Sequence, residues 1–219
     1  MSNADQGPPY GHDPAAWPEY RRRMMAELDA AGIPEDTIFA LVNSDLDFPQ
    51  AVPIMVDWLE HLDERVPAGE PREAWRWALL RNLITKHARG NQRAFDVVLD
   101  QFYVEPPLAP GERESATLAL LAIATPAQFD QMAALIAHLR GVEMRWHVVS
   151  WLGTVKTPAA VALATSLLTD PDPAVRYQAV KALLRQRARG VRSKVAALLD
   201  DTEPDVRGEA EKALAKLPE

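Results

Sequence analysis

The second half of the chain writes one pattern of apolar and polar positions three times. RWHVVSWLG from Arg145, RYQAVKALL from Arg176 and RGEAEKALA from Arg207 place apolar or small residues three, four and seven positions apart. That spacing is one stripe of a 3.6-residue helical period. Pro173 and Pro204 open the last two segments, where a missing backbone N–H costs no helical hydrogen bond. Each Arg-marked segment is preceded by a second stripe; across the chain these are FPQAVPIMVDWLEHL, QRAFDVVLDQF, AQFDQMAALIAHL, PAAVALATSLL and GVRSKVAALL. The pattern predicts five helical hairpins, starting near residues 49, 91, 127, 157 and 190, and two further helices over 15–31 and 34–43. No segment shows sustained apolar/polar alternation bounded by turn residues, so no sheet is predicted.

The marker arginines set the register. Arg113, Arg145, Arg176 and Arg207 follow one another at intervals of 32, 31 and 31 residues. A weaker copy begins at Arg72, 41 residues before Arg113, and the loop EPPLAPGE supplies the extra length. A lone helical hairpin cannot bury its apolar face, so identical spacing lets each unit stack on the next and share one core. Ala179, Ala182 and Leu183, matched by Ala210, Ala213 and Leu214, are the small-and-large positions expected to set how closely neighbours approach. Trp58, Trp75 and Trp151 fall on apolar stripes and are expected in the core.

Asp170 stands six residues before Arg176, and Asp201 six before Arg207. Each acid lies in the turn ahead of a helix whose first turn carries the base. Such a pair can cap turn amides and link adjacent hairpins by charge-assisted hydrogen bonds, so Asp170, Arg176, Asp201 and Arg207 are expected to form a structural ladder. Arg113 and Arg145 have Pro107 and Leu139 at the corresponding position, which predicts a ladder incomplete in the middle.

D-x-x-x-x-V-R followed by A-x-x-A-L, at about 30-residue spacing, resembles the HEAT repeat, in particular its short bacterial form related to the bilin-lyase-type repeats. Residues 157–217 resemble it in letters and residues 48–156 in spacing. The resemblance implies an all-α fold: a right-handed α-solenoid of about five HEAT-like hairpins with N-terminal capping helices. In that fold the second helix of each hairpin lines a concave binding face. The expected organisation is a mobile N-terminal segment over residues 1–14, rich in Pro and Gly, and a single solenoid domain over 15–219.

Composition narrows the function. At 219 residues, 47% hydrophobic and 25% charged, the chain is long and apolar enough to bury a sizeable core. It has no cysteine, which excludes disulfides and thiolate metal sites. The opening MSNADQGPPYGHDP has neither the basic region nor the apolar run of a signal peptide, and no run approaches a membrane span, so a cytoplasmic protein without membrane contact is expected. The net charge of −7 is an N-terminal property: residues 1–70 hold 4 Lys+Arg against 14 Asp+Glu, and residues 71–219 hold 20 against 17. An acidic chain does not attract phosphate backbones over its whole surface.

The chemistry of catalysis is sparse. The five histidines, at positions 12, 61, 87, 138 and 147, have no metal-ligand spacing, and no P-loop, H-E-x-x-H, G-x-S-x-G or G-x-G-x-x-G occurs. Asp57, Glu60, Asp63 and Glu64 follow the spacing of a solvated helix face. No catalytic residue, cofactor or metal is therefore expected.

The second helices carry a different signal. Read in register they place Trp77 and Arg81, then Leu118, then Trp146 and His147, then Tyr177, Gln178, Lys181 and Arg185 off the apolar stripe. These are the candidate partner-binding residues, since Trp, Tyr and Arg dominate interface hot spots. The expected function is a non-enzymatic protein-interaction module of scaffold, adaptor or toxin-neutralising type, monomeric, with a protein partner. An acidic N-terminal third suits a basic one. The alternative is a nucleic-acid-binding or DNA-repair protein resembling the HEAT-like alkylpurine glycosylases, with Arg76, Arg81, Lys181 and Arg185 on phosphates. The signatures expected of those glycosylases are absent, which disfavours nucleic acid.

Overall fold

Helices occupy the segments whose apolar stripes call for them. The computed structural model describes residues 17–34, 38–42, 48–142 and 144–219, and all regular structure among them is helical. The segment 1–14 and His12 lie outside the described residues. The chain divides into two units, one running to Ile123 and one from Ala124 to Glu219.

The first unit holds α1 (Glu19–Ala30), α2 (Ile38–Val42), α3 (Ala51–Glu60), the short α4 (Leu62–Arg65), α5 (Glu70–Asn82), α6 (Gln92–Asp100) and α7 (Pro110–Ile123). α3 with α5, and α6 with α7, are the first two hairpins, and α5 packs on α7. Asn91 starts α6 by accepting from the Ala94 amide at 3.0 Å. Trp58 and Trp75, 0% and 6% exposed, meet with ring centroids 5.4 Å apart, and Tyr20 of α1 closes on Trp75 edge-on at 5.1 Å. The indole N–H of Trp58 donates to Glu27 of α1, so the polar edge of the ring is not left unpaired in the core. Aromatic burial of this kind is what attaches α1 to the first hairpin.

The second unit holds α8 (Phe129–His138), α9 (Arg145–Ser150), α10 (Pro158–Ser166), α11 (Pro173–Gln186), α12 (Arg192–Ala196) and α13 (Pro204–Leu214). They pair as three further hairpins. The hairpins thus begin at Ala51, Gln92, the 3₁₀ turn Pro126–Gln128, Pro158 and Arg192, within about two residues of the sequence expectation. Ala179, Ala182 and Leu183 are buried, as are Ala210 and Ala213, while Leu214 is partly covered. Trp151 is 4% exposed. α9 is short and passes into the 3₁₀ segment Trp151–Thr154. Gly153 in that segment lies so close to α11 that a Cβ there would sit 2.9 Å from Arg185 Cδ and 3.4 Å from Ala182 Cα. The small residue sets that approach.

The amide of Gln186, at the end of α11, donates to the Leu152 and Val155 carbonyls at 2.8 and 3.0 Å. It satisfies acceptors left over where the helix of the preceding hairpin ends. Asn82 stands in the same register relative to Arg72 and reaches the Ile38 carbonyl of α2 at 3.0 Å. The two amides therefore do the same work in their own units.

Two helices end in the same left-handed cap with different residues. At the end of α1, Gly32 takes φ 71° while Ile33 N–H donates to Leu28 and Gly32 N–H to Asp29. At the end of α11, Arg187 takes φ 50° and ψ 46° while Ala188 N–H donates to Leu183 and Arg187 N–H to Leu184. Both are Schellman caps, whose left-handed position costs nothing for glycine and about 1 kcal/mol for a residue with a Cβ.

Candidate functional site

The marker arginines are held by main-chain carbonyls at the end of the preceding helix or in the turn that follows it. Arg72 donates to Val66 and Asp63, Arg113 to Leu108, Arg145 to Ile136, Arg176 to Asp170 and Pro171, and Arg207 to Asp201 and Thr202. A carbonyl exists at every residue, which is why the arginine persists where the turn has no aspartate.

The carboxylates follow a different register from the one the sequence suggests. Asp170 does not pair through its side chain with Arg176; its Oδ2 accepts from Arg145 at 2.7 Å, and its Oδ1 accepts from the Asp172 amide. Asp201 likewise accepts from Arg176, through Nε and Nη2, both at 2.7 Å. The rule is that an arginine binds its own turn by carbonyls and the next hairpin's turn by its carboxylate. The ladder is thus continuous through Arg145 in the second unit, contrary to the expectation of a gap there. Both side chains of the Arg145–Asp170 pair are nearly dry, 2% and 4% exposed, and those of Arg176 and Asp201 are 13% and 5% exposed. The bidentate bond from Arg176 holds the Asp201 carboxyl below the usual carboxylate range.

These rungs hold the second helices α9, α11 and α13 side by side, with α11 in contact with both neighbours. Along their N-terminal halves runs an open groove of about 560 Å³. Trp146 of α9 and Tyr177 and Gln178 of α11 form one wall, and Glu203, Asp205 and Lys212 the other. Trp146 and His147 are half-buried, their rings stacked at 3.5 Å and 27°. Lys181 lies over the half-buried Tyr177 ring at 5.1 Å, and Arg185 is exposed one turn on. Gln178 departs from the expected surface position. It is 9% exposed because α11 is flanked by a second helix on each side, so a position off one stripe meets the next helix.

In the first unit the equivalent positions are Trp77, half-buried with Arg81 over its ring at 6.0 Å, and Leu118, half-buried on α7. Arg76 is not available to phosphates. It pairs with Glu112 at 3.2 Å and Asp63 at 3.5 Å, and its side chain is 14% exposed.

The acidic helix face is also engaged. Asp57, Glu60 and His61 bring possible ligand atoms within 4.8 Å of one another, but Arg93 pairs with both carboxylates and Arg65 with Asp57 at 2.8 Å. Burial pushes the Asp57 carboxyl up, yet the bonds from Arg65 and Arg93 together outweigh it and hold it below its ordinary value. The cluster is neutralised by the protein's own cations. No single helix among the described residues is long and apolar enough to cross a membrane.

Residues 132–215 match the family model for HEAT repeats. This stretch therefore carries HEAT repeats, which commonly mediate protein interactions and are typically non-enzymatic. No curated protein matches the chain. Among solved structures, the chain is similar to an engineered protein from a structural genomics consortium, at 15% identity over 92% of this chain and 97% of that one, with a TM-score of 0.49.

Proposed function

We propose that this protein is a non-enzymatic interaction scaffold of adaptor or toxin-neutralising type, and that its second unit holds a protein partner in the groove along α9, α11 and α13. The observation that carries the reading is the row of half-buried Trp146 and Tyr177 beside that open groove. Aromatic rings on a rigid helical face bury much area and lose little rotamer freedom when a partner covers them. Glu203 and Asp205 on the opposite wall favour a partner that brings a basic side chain between them and the rings.

The test is a photo-crosslinking amino acid at position 177, compared with one at Ala162, which is exposed on the first helix of the same hairpin. In the native host, position 177 should capture one discrete protein that position 162 does not. Equal capture at both positions, or adducts with nucleic acid alone, would remove the reading.

A further inference from the structure

The end of α11 carries a second cleft, of about 620 Å³, lined by Leu184, Arg187, Arg189, Lys216 and Pro218. It is separate from the groove of Trp146 and Tyr177, with which it shares no lining residue. Arg187, Arg189 and Lys216 are all exposed, and none has a carboxylate partner among the described residues. The acid beside them in sequence, Glu219, turns instead to Arg192, at 3.7 Å. Arg192 is further committed to the Leu214 and Leu217 carbonyls. Three cations thus face one cleft with nothing to neutralise them.

The backbone supplies an independent reason to regard this as selected for its side chain. Position 187 is the left-handed residue of a Schellman cap. The same chain places glycine at that position in the cap of α1, where an added Cβ would meet nothing within 4 Å. Glycine is therefore the choice when only the backbone matters, and the arginine at 187 is kept against the strain of φ 50°.

We infer that this cleft is a docking site for an acidic peptide segment of a protein partner, whose carboxylates are bound by Arg187, Arg189 and Lys216 and whose apolar side chain rests on Leu184 and Pro218. A guanidinium fork matches a carboxylate in geometry, and two such forks with an ammonium suit two or more carboxylates. Leu184 and Pro218 add an apolar floor for which a bare phosphate backbone has no use. Three cations around one cleft are too short a track for the long polyanion that a nucleic acid presents, whereas a short acidic segment needs only this local field.

The test uses the full chain and a fluorescein-labelled peptide of alternating Glu and Leu, followed by anisotropy at low and at physiological salt. The parent should bind it, more weakly as salt rises. Arg187→Gly is the decisive variant, because it removes the guanidinium while relaxing the cap. It should lose about tenfold or more in affinity, the loss of a charge-assisted contact, with a melting temperature equal to or above the parent's. Arg189→Gln and Lys216→Gln should each weaken binding as well, and Lys156→Gln, elsewhere on the unit, should not. The proposal is overturned by an absence of peptide binding to the parent, by an Arg187→Gly variant that binds as tightly as the parent, or by duplex DNA binding more tightly than the peptide at equal salt.

Discussion

The guanidinium of Arg176 grips both carboxylate oxygens of Asp201, twenty-five residues on in the next hairpin, through two bonds of 2.7 Å, while its remaining nitrogen holds the carbonyl of Asp170 in its own turn. One side chain thereby fixes two successive turns. Stacked hairpins otherwise meet largely through apolar faces, which resist separation but not sliding. A planar fork with donors on two sides resists both.

The rungs should differ in their contribution to stability according to how dry they are. Arg145→Met leaves Asp170 as a buried, unpaired carboxylate and should cost about 3–5 kcal/mol. Arg176→Met strands a carboxylate closer to water and should cost about 1–3 kcal/mol. Urea denaturation of the two variants checks the order, and a larger loss at position 176 would contradict it.

The Asp201 carboxyl is held below its ordinary value chiefly by the hydrogen bonds from Arg176. A lowered carboxylate pKa in the folded state means that the stabilisation is fully present above the unfolded value of about 3.9 and is lost as pH falls through the folded one. The stability advantage of the parent over Asp201→Asn should therefore be constant from neutral pH down to about pH 4.5 and shrink below about 3.9. An advantage that persisted unchanged to the lowest pH at which both fold would mean that the pair is not the cause.

Gly153 is required by the approach of α11. Alanine there meets the flexible Arg185 side chain first, at 2.9 Å, so Gly153→Ala should cost less than about 1 kcal/mol, with Arg185 moving aside. Valine reaches further toward the Ala182 backbone, which cannot move without disturbing the Arg176 rung, and should cost about 1–3 kcal/mol. Equal melting temperatures for the two variants would show that the helices have room to spare.

On the groove, Trp146→Ala and Lys181→Ala should each weaken the complex with the captured partner by about 1–3 kcal/mol, with melting temperatures close to the parent's. Titration calorimetry and thermal scans together decide the matter. Unfolding of Trp146→Ala would make the ring a core residue, and unchanged affinity in both variants would place the contact elsewhere.

The candidate site was only half legible before folding. Trp146, Tyr177 and Lys181 could be placed by register, because a helical period states which face of one helix is apolar and which is not. Glu203, Asp205 and Lys212 could not be paired with them, since on their own helix they look like an ordinary solvated turn. The basic cleft has a signal in the run RQRARGVR over residues 185–192, of which the helical register picks out only Arg185. In the fold Arg185 and Arg187 part company at the left-handed cap, and Lys216 joins from the turn that follows α13.

What the sequence by itself determined is the all-helical character, the hairpin starts, the repeat register and the burial of Trp58, Trp75 and Trp151. All of these follow from periodicity and capping chemistry within a few turns of chain. What only the tertiary structure decided is the partner of each long side chain. Arg176 has an acid six residues behind it and another twenty-five ahead, and nothing in the spacing ranks them. The stacking of α11 between α9 and α13 turns the Asp201 carboxylate toward the guanidinium and gives Asp170 to Arg145, because a flexible side chain takes whichever carboxylate the packed backbones bring within reach.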